Sequence, residues 1–457
     1  MSITENRRTD DLLSLLGIVG EDNLTGNQSA LEAAMVDGQI PTALVSPANT
    51  EEAVEVLKWA SAHQMRTAIR GGGTQTNLGN PIAGLDLVIS TARLNQITEH
   101  IPADLTIGAQ AGANLQMVQD QLEQHDQFLP IDAPLSGRAT VGGAVATNAS
   151  GPLRLQYGPT RDWLIGVKFV LSDGTPAKGG GRVVKNVAGF DMMKIFIGSL
   201  GTLGLITEMN FKLMPLPKAF MTLLLTMPDE QTASRVALKI VRAGLFPASL
   251  TVLDNRAAHA LNLEKPEPGG AVLAVEVRNT RLAVERQVRD IYQLVIDEVG
   301  QPVTYTDLTE LTLQKEWRRR LSDFAYRPGL EDNSSFALKL ATLPTQAVQA
   351  VAIARRVATL HEIEIEAMSH VGHGISYITG QLNSPEAAFP TIVEITAQVE
   401  KLGGTVTAER VPLEIKQQLP DVWGAALSAG ELKLMRGVKQ KLDPQNLLNP
   451  GRFVARI

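Results

Sequence analysis

The chain of 457 residues contains no cysteine. It can therefore form no disulfide, ligate no iron–sulfur cluster and offer no thiolate to a metal. Long apolar runs are missing as well. None approaches the roughly 20 residues needed to span a bilayer, and the opening stretch "MSITENRRTDDLLSLLGIVGEDNLT" lacks the apolar segment of a secretory signal. Excess positive charge is also absent: the net charge is −6, which gives no support for nucleic-acid binding or for an anionic membrane surface. The rest is ordinary soluble composition, 44% hydrophobic and 20% charged, in a chain long enough for two or three domains. A cytoplasmic location is expected, with any peripheral attachment to the inner face of a membrane made through partners.

Glycine, by contrast, comes in clusters. In "AIRGGGTQTNLGN" (68–80), Gly71, Gly72 and Gly73 follow a short apolar run. Consecutive glycines strip the Cβ atoms from a turn, so backbone N–H groups can converge on an anion. Thr74, Gln75 and Asn77 add donors at the rim. The loop joins one strand, "TAI" (67–69), to another in "LDLVISTARL", whereas the dinucleotide fingerprint opens a helix. A Walker loop needs Gly-Lys-Ser/Thr, which is lacking. Two further glycine-rich stretches, 130–174 and 185–217, mix small with apolar residues, as suits backbone lying flat against a planar ligand.

Periodicity divides the chain. "TALVS" (42–46) reads as a strand and "NTEEAVEVLKWASAHQ" as an amphipathic helix, capped by Asn49 with Glu52 at N3. A helix fits 114–125. Prolines in "KLMPLPKAF" (212–220) mark a boundary near Pro217. Beyond it, strand signals alternate with helices at about 229–243, 281–298, 308–321, 345–360 and 385–401, giving two β-α-β-type halves on one sheet. The tail helix stops at Asp443-Pro444. The expected order is a helical lead-in (1–37), a ligand-binding domain (38–217), an α+β domain with an antiparallel sheet under helices (218–425) and a C-terminal helix returning to the first domain (426–457).

Taken in order, "AIRGGGTQTN", "ATVGGAVATNASG" and "GSLGTLGLIT" resemble the FAD-binding domain of the vanillyl-alcohol oxidase/PCMH-type flavoprotein superfamily, over residues about 38 to 217. The resemblance implies an α+β fold with a PCMH-type FAD-binding domain of two subdomains. It implies that Arg70, Gly71, Gly72, Gly73, Thr74, Gln75, Thr76 and Asn77 face the pyrophosphate of FAD. Pro134, Thr140, Gly142 and Gly143 would lie near the flavin ring, Asn148, Ala149, Ser150 and Gly151 along the cofactor, and Gly201, Gly204 and Ile206 would contact it through backbone. Leu200 stands where the family often has glutamate. The first loop and residues 130–160 hold neither His nor Cys, so the FAD is expected to be non-covalent.

"KQKLDPQNLLNPGRF" resembles the C-terminal end of the D-lactate dehydrogenase/glycolate oxidase branch. That branch carries His-x-Gly-Asp-Gly-Asn-x-His and Glu-His-Gly motifs, which bind a divalent metal and supply a base. This chain reads "HVGHGISY" and "AERVP": His370 and Glu409 remain, but His373, Tyr377 and Arg410 replace the aspartate, the second histidine and the base. His370 and His373, if both on a strand, would point to opposite faces, so no metal is expected. Arginine stays protonated and cannot serve as a base, though Arg410, and Arg320 in "EWRRRLSDF", could clamp a carboxylate. Catalytic candidates are thus Arg410, Arg320, His370 and Glu409.

An intact flavin domain beside an altered second domain is similar to the GlcE-type FAD-binding subunit family of glycolate oxidase. The family implies a larger flavin subunit and an iron–sulfur subunit as partners, and oxidation of glycolate or a similar 2-hydroxy acid by hydride transfer to flavin. The missing cysteines agree, since any cluster must then belong to a partner. Two other readings compete: a stand-alone FAD-dependent dehydrogenase of another carboxylate, and a non-catalytic subunit that holds flavin for assembly.

Overall fold

A computed structural model describes residues 12, 14–181, 191–264, 266–330, 334–382, 385–424 and 427–457. Much of the lead-in (1–11 and 13), together with residues 182–190 of the third glycine-rich stretch, falls outside the described residues.

The first subdomain is built on four strands in the order Leu24–Thr25, Ala43–Val45, Leu87–Ser90, Thr67–Arg70, the last three parallel. Helix Thr50–Ala62 makes the crossover. Asn49 caps it by accepting from the Glu52 N–H at 2.8 Å, while the Glu52 carboxylate accepts from the Ala48 N–H at 2.8 Å. Val56 and Leu57 on its inner face meet Val45, Leu87 and Ile89 in a dry core. The strand Thr67–Arg70 delivers the triple glycine at its C-terminal end, the edge of a parallel sheet where ligands bind.

The second subdomain is a five-stranded antiparallel sheet, ordered Ile97–Ile101, Thr106–Gln110, Leu205–Lys212, Leu164–Val170, Pro176–Gly180.

From Ala219 the chain runs strand, helix, strand, short helix Asn255–Ala260, strand, helix, strand, and from Ser335 to Arg410 it repeats that pattern with a 3-10 turn, Val371–His373, in place of the short helix. The two halves join into one eight-stranded antiparallel sheet: Tyr305–Leu308, Ala219–Met227, Ala271–Asn279, Ser249–Asp254, then Ile365–His370, Ile375–Gln381, Ser335–Ala341, Thr405–Arg410. The second strand of each half meets at the seam, Ser249–Asp254 against Ile365–His370. Strand alternation sends Leu223, Leu225 and Met227 to the covering helices and Leu224 to the other face. That other face carries helix Leu311–Ser322 and looks toward the first two subdomains.

Two buried ionic clusters tie the parts together. Lys439, on tail helix Ala429–Leu442, pairs with Asp443 at 2.6 Å and donates to the carbonyls of Thr202 (2.8 Å) and Leu448 (3.1 Å). Residue Thr67 then bridges to Leu448, so the tail is stitched onto the parallel sheet. Removing one partner of a buried pair strands the other, and Lys439→Met is expected to cost about 3–5 kcal/mol, read as a lower denaturant midpoint.

The second cluster is Glu276 between Arg278 and Arg318, with Arg318 Nη2 donating at 3.1 Å. Burial opposes ionisation of Glu276, but the two guanidinium charges outweigh it and hold the carboxyl down at about 2. A folded value below the unfolded one means stability that is complete above about 4.5 and is lost as pH falls toward about 2. Glu276→Gln is therefore expected to flatten the acid-unfolding curve in that window while lowering stability at neutral pH.

Candidate active site

The triple-glycine loop lines a cleft between the first two subdomains, the kind of concave, largely apolar place where small molecules bind. Its apolar walls come from Val36, Ala68, Leu78, Ala146 and Ile206. Among the described residues, the N–H groups of Gly71 through Thr76 donate to no backbone carbonyl, so a row of free amides borders the cleft. Cβ atoms are excluded here by protein packing as well: one built on Gly72 would stand 1.8 Å from the Arg138 carbonyl oxygen. The tail contributes Asn449, which donates to the Leu200 carbonyl at 2.9 Å, and Arg452, which donates to the carbonyls of Thr76 and Leu78.

A second, small cavity lies where the eight-stranded sheet faces the first domain. Gln75, Leu78 and Thr147 line both spaces. Thr147 donates to Gln75 Oε1 at 2.7 Å, Gln75 Nε2 donates to the Tyr326 hydroxyl at 2.8 Å, and Tyr326 donates to Glu409. A hydrogen-bonded chain thus runs from the cleft wall to a carboxylate in the cavity.

Glu409 reaches this position through a β-bulge. Ala337 pairs with Arg410 but Leu338 pairs with Ala408, leaving Glu409 as the extra residue. Its other oxygen lies 3.5 Å from Lys339 Nζ. Lys339 is cross-strand from Tyr377, and both line the cavity. Burial works against the Lys339 charge, but Tyr377 and Glu409 more than offset it and raise its pKa, so it is an ammonium ion. Burial pushes the Tyr377 phenol up to about 12 and, with the Glu409 charge, raises Tyr326 well above its usual range. Both phenols are donors at neutral pH. His370 ends its strand with Nδ1 2.9 Å from Thr251 Oγ1 across the seam, and burial lowers it to about 4, so the ring is neutral.

Residues 41–179 match the FAD binding domain family, and residues 216–453 match the FAD linked oxidases, C-terminal domain. The glycolate oxidase subunit GlcD of Bacillus subtilis is 30% identical over 434 residues, covering 91% of this chain and 90% of that protein. The chain belongs to the FAD-linked oxidases. The D-2-hydroxyglutarate dehydrogenase of Xanthomonas citri pv. viticola is 28% identical over 434 residues, 90% of this chain and 89% of that one. Among solved structures, p-cresol methylhydroxylase superposes with a TM-score of 0.78 at 18% identity over 99% of this chain and 97% of that chain, a likeness of fold. By name the glycolate oxidase component matched is GlcD, beside the GlcE-type resemblance of the motifs.

This FAD-linked oxidase is an FAD-dependent oxidoreductase, and the cleft suits the cofactor. Free amides and the Arg70 guanidinium offer donors to a pyrophosphate, and the apolar walls offer cover to flat rings. Arg70, Gly71, Gly72, Gly73, Thr74, Thr76, Thr140, Gly142, Gly143, Gly201, Gly204 and Ile206 all line it. Its described lining includes no His, Cys or Tyr.

Other expected residues stand elsewhere. Asn77 is exposed, and only its carbonyl is engaged, by Lys416 at 2.9 Å. Gln75 spends its amide on Thr147 and Tyr326. Residues 142–143 are not flat backbone: Val141–Ala146 is a helix capped by Thr140, and Gly142 is small because Ala111 packs against it. Pro134, Asn148, Ala149, Ser150 and Gly151 line the second cavity, not the cleft.

Of the catalytic candidates, His370 and Glu409 share that cavity, whereas Arg320 does not. One helical step of 100° from Leu321 turns Arg320 toward a different cleft, where it pairs with Glu316 and donates to the Leu261 carbonyl at 3.2 Å. Arg410 is buried beside Arg327 and is not among the lining residues. The two arginines do not form a clamp. Nor do His370 and His373 diverge: the strand ends at His370, and the turn Val371–His373 sets the two rings 5.2 Å apart.

Lys339, Tyr326 and Arg154 escaped the sequence reading. Lys339 had a signal, a single charge in the middle of "SFALKLA". Tyr326 and Arg154 had none.

Proposed function

We propose that this chain oxidises a small 2-hydroxy acid, glycolate or a close relative, to the 2-oxo acid, as a flavin-bearing subunit of a glycolate oxidase-type complex. The relatives named above, acting by name on glycolate and D-2-hydroxyglutarate, support the substrate class. The observation that carries the reading is the Thr147–Gln75–Tyr326–Glu409 chain, which links the glycine-loop cleft to a carboxylate in the second cavity.

Bound FAD supplies the acceptor for the hydride from the substrate α-carbon. The protein supplies the rest. Leu78, Pro134, Leu321 and Met368 wall the cavity and exclude water from the reacting carbon. Glu409 accepts the α-hydroxyl proton; it is the one carboxylate lining the cavity among the described residues. Tyr326 holds one of its oxygens, leaving the other toward Lys339 and the substrate. Neutral His370, its Nδ1 bound to Thr251, has Nε2 for a hydrogen bond to the ligand. The flavin is held without a covalent bond, and electrons leave through a partner carrying an iron–sulfur cluster.

Steady-state turnover with an artificial electron acceptor and a panel of 2-hydroxy acids tests the activity. Catalysis with a small member of the panel is the expected result. A holo chain inert toward all of them, with and without its co-purified partners, would contradict it. The absorbance spectrum of that co-purified complex reports whether an iron–sulfur partner is present.

A further inference from the structure

The cavity's charges are out of balance. Lys339 and Glu409 line it, and two further charged groups outside the lining act on its Tyr377: Arg154 and Asp132. Arg154 donates to Ser150 Oγ at 3.3 Å and, among the described residues, has no carboxylate partner. Asp132 lies behind Gly151 and Leu153, accepting from both backbone N–H groups at 2.7 and 2.8 Å, and faces Arg318 instead. With Asp132 directed to Arg318, one positive charge beside the cavity is left without a carboxylate, and such a site recruits a monoanion.

The divalent metal implied by the family motifs does not fit this site. The candidate donors are His370, with one nitrogen committed to Thr251, His373, whose ring lies 5.2 Å from that of His370 but outside the cavity lining, the protonated phenol of Tyr377, and Glu409. Glu409 is already shared between the Tyr326 hydroxyl and an ammonium ion. A divalent cation placed among these groups would meet the Lys339 charge at close range and compete with it for the same carboxylate.

We propose that Lys339 does the work of a cation itself: its ammonium pairs directly with the carboxylate of a small monoanionic ligand, assisted by Arg154, and binding requires no divalent metal. This deepens the substrate reading above and rests on it for the ligand's hydroxyl chemistry alone.

The test uses the FAD-loaded chain and a non-reacting 2-oxo monocarboxylate, pyruvate, with binding read by calorimetry and by perturbation of the flavin spectrum. Chelator treatment is expected to leave the Kd within about two-fold, and Lys339→Met to weaken it at least ten-fold, as loss of a charge-assisted bond requires. Lys339→Arg should recover part of that loss, and flavin content serves as the control for folding. Glu409→Gln discriminates by sign. If Glu409 merely competes for the ammonium, the variant binds pyruvate as well as wild type or better; if it ligates a metal, binding is lost. Binding abolished by chelator and restored by Mn²⁺ or Zn²⁺, or unaffected by Lys339→Met, would overturn the proposal. Metal-free, Lys339-dependent binding in a chain that oxidises no hydroxy acid would sustain it while refuting the proposed function.

Discussion

Glu409→Gln is expected to lower kcat by about 10²–10⁴-fold, the contribution of a positioned proton acceptor. The amide has nearly the same shape, can still accept from Tyr326, and cannot take a proton. Its effect should fall on kcat with KM unchanged or lower, because removing the carboxylate frees Lys339 for the substrate. Tyr326→Phe should do less, since it cuts the chain from Gln75 but leaves the Glu409 carboxylate beside Lys339. A ten-fold or smaller loss in Glu409→Gln, measured at saturating substrate, would move the proton acceptor elsewhere in the cavity, with His370 the next candidate.

The second large effect belongs to the glycine loop. At Gly72 the atom that cannot be accommodated is Cβ itself, which meets a backbone carbonyl rather than a flexible side chain. Even Gly72→Ala must push the loop off residues 138–140 and disperse the row of amides. FAD binding is expected to weaken at least ~100-fold, equivalent to about 2.7 kcal/mol, and Gly72→Val should add little further. Gly137, just outside that contact, has open space where a Cβ would go, so Gly137→Ala should keep its flavin. Equal flavin content in the two alanine variants would show that the loop tolerates displacement and that the cradle lies elsewhere.

Local structure was largely legible. The Asn49 cap, the helix at 114–125 (Leu115–Glu123) and five of the helices after Pro217 announce themselves through periodicity and capping, which act over a few residues, whereas the short helices Asn255–Ala260 and Leu413–Gln418 did not. The glycine loop stood out as a candidate anion cradle only beside the two later glycine-rich stretches, since three adjacent glycines alone suit an ordinary flexible turn as well. The second cavity was less legible. Glu409 and His370 were singled out, but what surrounds them comes from distant strands: Lys339 from a neighbour in the sheet, Tyr326 from the segment after helix Leu311–Ser322, Arg154 from the first domain. The sheet order and the packing of the first domain against the sheet bring those together. Arg320 misled because a helix rotates its residues by 100° per step, and a linear motif does not say which one meets the sheet. His373 misled because the strand ended three residues earlier than assumed.

Anaerobic mixing of the purified FAD-loaded protein with glycolate or another small 2-hydroxy acid, followed by flavin absorbance, tests the central claim most directly. Wild type is expected to bleach at a catalytically competent rate while Glu409→Gln, with the same flavin content and intact acid binding, stays yellow. A wild-type flavin that remains oxidised with every acid tried, or a Glu409→Gln variant that bleaches as fast as wild type, would contradict it.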